Sequence, residues 1–507
     1  MTRTLRFCVT AIASFAVLVA ANAWLRGHGL VAAPVLHDWG EVLLYSGGKG
    51  TFRDFTTSYP PLAFTLNILL GVPVRALSPL SALPAPALVA SLFGALLVAR
   101  WDAAFRAAKY GAWSIVLAAL LCLHPFFLHS ATSGVGAMLL LVALYWLASA
   151  YCASYRTGRV TDLMNVALAL AFTAFVDPLG ALVCVAALPF LTLSVPPALL
   201  ARSAFNSLLV VLFPLLFVIL SFTYENALFE DSSTAFVTDI ARHVSLVVGT
   251  SEAVGHGVAG LFPALAGFGI AVLTLAAAMP AAIVLTLHRR MAAECAKPFA
   301  ALCAVALVAI AAVAIIAFMQ GSAHISATLT RIATPFVALA AVAVRQWPPH
   351  PRRGRTVAAV LLAAIGAGWG MSLTWQTGED ARWLDAATGI TVAGAPDGGA
   401  ASLGRYLAGR SDVLIDAHAH PATLAARGSA SGLVVRGDEP FMLAMLTRRI
   451  RSRFVAVPYP DQLPTLADDQ LTQTFPALYQ QGLNGYRLIY DTDGWRVYER
   501  RDAQSTN

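Results

Sequence analysis

HDWGEVLLYSGGKGTFRDFTTSYPPL, residues 37–62, directly follows the first apolar run, and the rest of the chain is arranged around it. It carries three carboxylates, Asp38, Glu41 and Asp54, with the aromatic residues Trp39, Tyr45, Phe52 and Phe55 among them. The run before it, about Thr4 to Leu25, is too long for a signal-peptide core. It also lacks a small-residue cleavage site, so it reads as a retained membrane anchor. The stretch closes on Tyr59-Pro60-Pro61-Leu62, a corner that turns the chain back into apolar sequence. Acidic groups between two apolar runs lie against a membrane surface. Asp38 and Glu41 are three residues apart, so a helical turn there puts both on one face.

Composition extends this reading outward. Of 507 residues, 58% are hydrophobic and only 12% charged, about half the charged share of soluble domains. The mean hydropathy is +0.70. This is the composition of a polytopic membrane protein. The net charge of +7 does not form a nucleic-acid surface. Its basic residues gather in short clusters beside apolar segments: Arg3 and Arg6, Arg100 to Lys109, Arg156 and Arg159, His288 to Arg290, and Arg345 to Arg355. Such clusters mark cytoplasmic loops. The six cysteines lie in or beside apolar segments without metal-ligand spacing, as packing residues do.

Further apolar segments run at 59–75, 84–99, 112–130, 134–153, 163–177, 180–197, 203–223, 259–287, 298–320, 325–345 and 356–376. The basic clusters put the N-terminus inside, and the loops at 26–58 and 224–258 and everything after 376 outside. That arrangement needs an odd number of crossings. The expectation is an α-helical polytopic membrane protein of about 11 crossings, with one re-entrant or interfacial segment. The short, proline-broken run 59–75 is the segment expected to be re-entrant. Residues 1–376 form the membrane module, 377–400 a linker rich in Gly, Ala and Asp, and 401–507 an extracytoplasmic α/β domain. Strand-like runs at 412–417, 432–435 and 453–458 alternate with helical pattern, notably 441–450, and 487–491 and 495–500 flank the hairpin turn Thr492-Asp493-Gly494.

An acidic loop after the first membrane helix, with a Pro-Pro-Leu corner opening the next, resembles C-type glycosyltransferases (the GT-C superfamily). These are integral enzymes that use lipid-phosphate-linked sugars. In aminoarabinose- and mannosyltransferase-like members a Glu-Lys pair precedes the corner, whereas here Thr57-Ser58-Tyr59 does, a form more similar to the YPPL of other mannosyltransferase-like families. The C-terminal GYRLIYDTDGWRVYER resembles the tails of such enzymes more weakly. The resemblance implies transfer of a sugar from a polyprenyl-phosphate donor to an envelope glycan, lipid or protein acceptor. The location it implies is the outer face of a bacterial inner (plasma) membrane. It assigns Asp38 as the catalytic carboxylate, with Glu41 beside it to orient the acceptor or to help hold a divalent cation. Asp54, Tyr59 and Pro60 are then substrate-binding candidates, and a structural turn is the plainer reading of Asp54.

Arg331 stands inside the 325–345 segment near the outer loop that contains His324. An intramembrane charge needs a partner or a task. Arg331 either snorkels to outer headgroups or, with His324 nearby, faces a donor phosphate. Asp177 before Pro178 reads as a turn or cap, and His243 and His256 in the second outer loop lack metal-ligand spacing. Asp416-Ala-His418-Ala-His420 has the alternation of metal hydrolases, but 401–507 is too small for their barrel, and no metal ligand is assigned. Two other classes stay open. A transporter or flippase normally shows internal repeats, which are not found here. A non-catalytic envelope-assembly protein would keep the acids only for solubility.

Overall fold

The computed structural model describes residues 2–77, 83–187, 195–229, 329–372, 378–392, 398–459 and 469–501, with isolated positions between 190 and 312. The expected segment 259–287, His243 and His256, and His324 lie outside the described residues. The protein is mostly helical with a small sheet near its C-terminus. Its first helices are α1 (Arg3–Gly27), α2 (Ala33–Ser46), α3 (Phe52–Thr57) and α4 (Pro61–Val74). The contacts divide the chain into two units. One comprises 1–28, 55–65 and 87–392; the other comprises 29–54, 66–86 and 393–507.

Among the described residues, four helices are long and apolar enough to cross a membrane: α1, Ala85–Ala107, Val135–Thr157 and Ala204–Phe229. The expected count of about 11 is not reached among the described residues. Helices Trp113–Cys122 and Pro125–Thr132 make a fifth span if taken together, bent by 63°. This bent pair covers the apolar segment expected at 112–130. Pro125 has no N–H to continue the ladder, and His124 Nδ1 instead accepts from the Phe126 amide at 3.3 Å. At 59–75, where the break was expected, α4 starts on Pro61 with Pro73 inside it. Val135–Thr157 and Ala85–Ala107 bury 78% and 72% of their apolar windows, against 17% for α1 and 22% for Ala204–Phe229. The first two are therefore central, and the others present apolar side chains such as Ile12 and Leu220 outward, as lipid-facing helices do.

The buried carboxylates described in the first unit are partnered. Asp102 is fully buried, within 2.6 Å of Arg106 and 2.7 Å of the Ser114 hydroxyl. Asp177 accepts from the Leu179 amide at 2.9 Å and so caps helix Pro178–Ala187, as its position before proline suggests. The expected linker is in part a helix. Gly378–Ala387 buries Trp383, whose indole N–H donates to Thr132 at 2.9 Å, and its Asp380 pairs with His129 at 3.2 Å. Glu379 and Asp380 in its first turn favour the helix N-terminus, which a count of flexible residues does not register.

The second unit is built on the sheet. Strands β1 (Val413–Leu414), β2 (Leu433–Val434), β3 (Phe454–Pro458), β4 (Tyr486–Thr492) and β5 (Trp495–Arg500) lie in the order β2-β1-β3-β5-β4. β1 is parallel to β2 and β3, while β5 is antiparallel to β3 and β4. The turn Asp493-Gly494 has φ of 50° and 76°, the left-handed pair that a two-residue hairpin demands. Helices cover both faces. Leu403, Leu407 and Leu424 pack on one side, and Phe441, Ala444, Leu471 and Leu478 on the other. Leu43 and Leu44 of α2 belong to the first of these cores. Residues 29–54, which carry Asp38, Glu41 and Asp54, and the C-terminal domain are therefore one folded unit.

Candidate functional site

The first ten residues of the quoted stretch, 37–46, are in α2 rather than in a loop. Pro34 opens the helix, and Val35, Val42, Leu43 and Leu44 give it a buried face. Gly40 is what lets that face dock. A Cβ there would stand 2.3 Å from the Pro421 carbonyl oxygen, at the start of helix Pro421–Arg427. On the other side Val42 lies against Gly71 of α4. Helical geometry then places His37, Asp38 and Glu41 together. Their ligand atoms all lie within 4.8 Å of one another, the one such group among the described residues. His37 Nδ1 is 3.6 Å from Glu41 Oε1, and the Glu41 side chain is 19% exposed.

Beneath them is Asn67 of α4, 1% exposed, whose side-chain amide donates to the Asp38 carbonyl at 3.0 Å. Its Oδ1 is closed off from solvent without a hydrogen bond. Burial raises the Glu41 pKa well above the usual carboxylate range, Asp38 and Asp54 add to the rise, and Asn67 opposes it. The proton-bound form of Glu41 is thus favoured beyond that of an ordinary surface acid.

Asp54, in the first turn of α3, reaches back to the residue before the helix. Thr51 precedes α3, its amide donates to Asp54 Oδ2 at 2.9 Å, and its hydroxyl donates to Oδ1 at 2.9 Å. Tyr45 donates to the same carboxylate at 2.8 Å. These bonds tie Asp54 to the turn that precedes α3. Lys49 holds the intervening turn to the α/β fold through Asp438 at 2.8 Å, and a Cβ on Gly437 would meet Thr51 at 2.9 Å.

The D-A-H-A-H motif leaves β1 at its carboxyl end. There the connection from β1 goes to one face of the sheet and that from β3 to the other, the crevice position of open α/β sheets. Asp416 accepts from Arg436 Nε at 2.8 Å and from the Gln470 amide at 2.9 Å, and His420 pairs with Asp469 at 3.0 Å. His418 keeps a buried Nε2 without a hydrogen bond, and burial pushes its pKa down against the pull of Asp54 and Asp416. No three of these groups converge as metal ligands.

Tyr59 and Pro60 lie in the first unit. Tyr59 is buried, donates to the Ala174 carbonyl at 2.9 Å and packs against Phe222, so its hydroxyl is spent on the helix core. Arg331 is in helix Leu329–Gln346, its side chain outside what is described. The sequence reading missed His37, Tyr45 and Asn67. A lone amide in the apolar run of α4 was a legible signal, because a buried polar group there needs partners. Neither a protein-family model nor a curated protein matches the chain.

Proposed function

We propose that this chain is a membrane glycosyltransferase of the C type, moving a sugar from a polyprenyl-phosphate donor to an acceptor hydroxyl on the extracytoplasmic side. The acceptor is an envelope glycan, lipid or protein. The observation that carries the reading is the convergence of His37, Asp38 and Glu41 over the buried Asn67, on a helix clamped by the α/β fold. Such an arrangement suits proton transfer at a reacting hydroxyl. Asp38 accepts the acceptor's proton as the new C–O bond forms, and the sugar's bond to the phosphate breaks with its electron pair leaving on the phosphate. Glu41, biased towards its proton-bound form, donates to and orients the acceptor.

The same three side chains suit a divalent cation, whose hard charge prefers carboxylate oxygen and accepts imidazole. Bound there, it would supply charge neutralisation for Asp38 and Glu41. Arg331 remains the candidate for the donor phosphate, since guanidinium matches phosphate oxygens. Tyr59 and Pro60, with a structural role in the helix core, are the weakest of the proposed substrate contacts.

The test is a transfer assay on purified full-length protein, with membrane extract as acceptor and a panel of labelled polyprenyl-phosphate hexoses and pentoses. Label should pass from lipid to product with at least one sugar. Failure with every donor, while a known transferase works in the same extract, would remove the reading.

A further inference from the structure

A second site lies in the membrane unit, at turns the acidic site does not involve. The chain between Ala107 and Trp113 and the chain between Trp347 and Arg355 both belong to the basic clusters that mark a cytoplasmic face. Together they enclose a cavity of about 420 Å³ lined by Lys109, His350, Arg352, Arg353 and Arg355, with Tyr110 and Trp113 in its wall. No carboxylate lines it among the described residues. The acid nearest in sequence, Asp102, is fully buried and taken up by Arg106 and Ser114.

The cavity is built by the fold. Lys109 has φ of 66°, and its amide and that of Tyr110 bond back to Arg106 and Phe105, which reverses the chain at the helix end. Tyr110 is buried and donates to the Val344 carbonyl at 2.6 Å. The Arg353 guanidinium lies 3.7 Å above its ring and donates to the carbonyls of Ala108 and Trp347. Arg353 is only 9% exposed and has no carboxylate among these partners. Trp113 covers Gly354, where a Cβ would approach Trp113 to 2.5 Å. His350 accepts the Arg352 amide on Nδ1 at 3.2 Å, which leaves the proton on Nε2 as a donor.

Four guanidinium or ammonium groups and an imidazole donor around one cavity call for an anion with several oxygens. We propose that this cavity binds a phosphate group, carried by an anionic phospholipid headgroup or free in solution. Its volume falls in the range of small-ligand sites. The neighbouring surface favours the lipid: Trp113, Ile115 and Val116 are 37%, 45% and 42% exposed on helix Trp113–Cys122, as an interfacial aromatic and lipid-facing side chains are.

The experiment uses detergent-purified full-length protein, titrated with phosphatidylglycerol, with phosphatidylcholine as control, and reads bound lipid by native mass spectrometry. A parallel arm titrates inorganic phosphate. Wild type should retain phosphatidylglycerol over phosphatidylcholine. Replacing Lys109, Arg352 and Arg355 by Ala should weaken that binding by about 100-fold, each lost charge contributing about five-fold. All three are exposed side chains, so folding should survive. If it does not, Arg352→Gln should still lose about five-fold while Arg352→Lys keeps most of the binding. Binding of inorganic phosphate alone, lost in the same variants, supports the site with a soluble ligand. Equal retention of both lipids and no phosphate binding, in wild type and variants alike, would overturn the proposal.

Discussion

Asp38 and Glu41 are both partly exposed and close together on α2, yet their surroundings differ. Glu41 is the acid that burial and its two acidic neighbours push up, while Asp38 has its backbone carbonyl tied to Asn67. If Asp38 is the base, Asp38→Asn keeps size and hydrogen bonding and should lower the transfer rate about 100- to 10,000-fold without affecting folding. The Glu41 shift also makes a stability prediction whose sign is fixed. The folded state holds the Glu41 proton to higher pH than the unfolded chain does, so stability should fall as pH rises from the ordinary carboxylate range through the raised pKa. Glu41→Gln should remove that fall. Its thermal midpoint should exceed wild type at pH 8 and converge with it near pH 4. Parallel midpoint curves for the two proteins would show that Glu41 titrates as an ordinary acid.

The docking of α2 rests on shape more than on charge. The Lys49–Asp438 pair is about a quarter exposed on each side, and such pairs contribute about 0–1 kcal/mol. Gly40 has no such slack, because any Cβ would meet backbone at Pro421. Gly40→Ala should therefore cost about 1–3 kcal/mol, against less than about 1 kcal/mol for Lys49→Ala. Thermal unfolding of the two variants ranks them, and a larger loss for Lys49→Ala would contradict the packing account. Local patterns of this kind were partly legible beforehand. The five strand runs, the Asp493-Gly494 hairpin and the helix within 439–447 follow from period and turn chemistry, and the Asp177 cap from its place before proline. What local pattern cannot carry is tertiary company. Nothing around Gly40 names Pro421 as its neighbour, and nothing in the Gly- and Asp-rich 377–400 stretch reveals that Trp383 will find Thr132. His37 stood next to Asp38 in plain view, but only a helix at 33–46 brings it to Glu41.

At the scale of the molecule, residues 29–54 and the C-terminal α/β fold form one unit although about 340 residues of chain separate them, a closure that flexible-chain entropy alone would oppose. Their shared core requires that they lie on the same side of any membrane the helices span. Single cysteines placed at 350 and 400 should respectively resist and accept an impermeant thiol reagent applied from outside, in keeping with the basic clusters. The opposite labelling would invert the topology. The account as a whole turns on chemistry at one carboxylate. It is tested most directly by reconstituting wild type, Asp38→Asn and Glu41→Gln in proteoliposomes with a labelled polyprenyl-phosphate sugar and following release of the label to acceptor. Transfer by wild type, near-complete loss in Asp38→Asn with an unchanged thermal midpoint, and a smaller loss in Glu41→Gln is the predicted result. Full transfer by Asp38→Asn would contradict it.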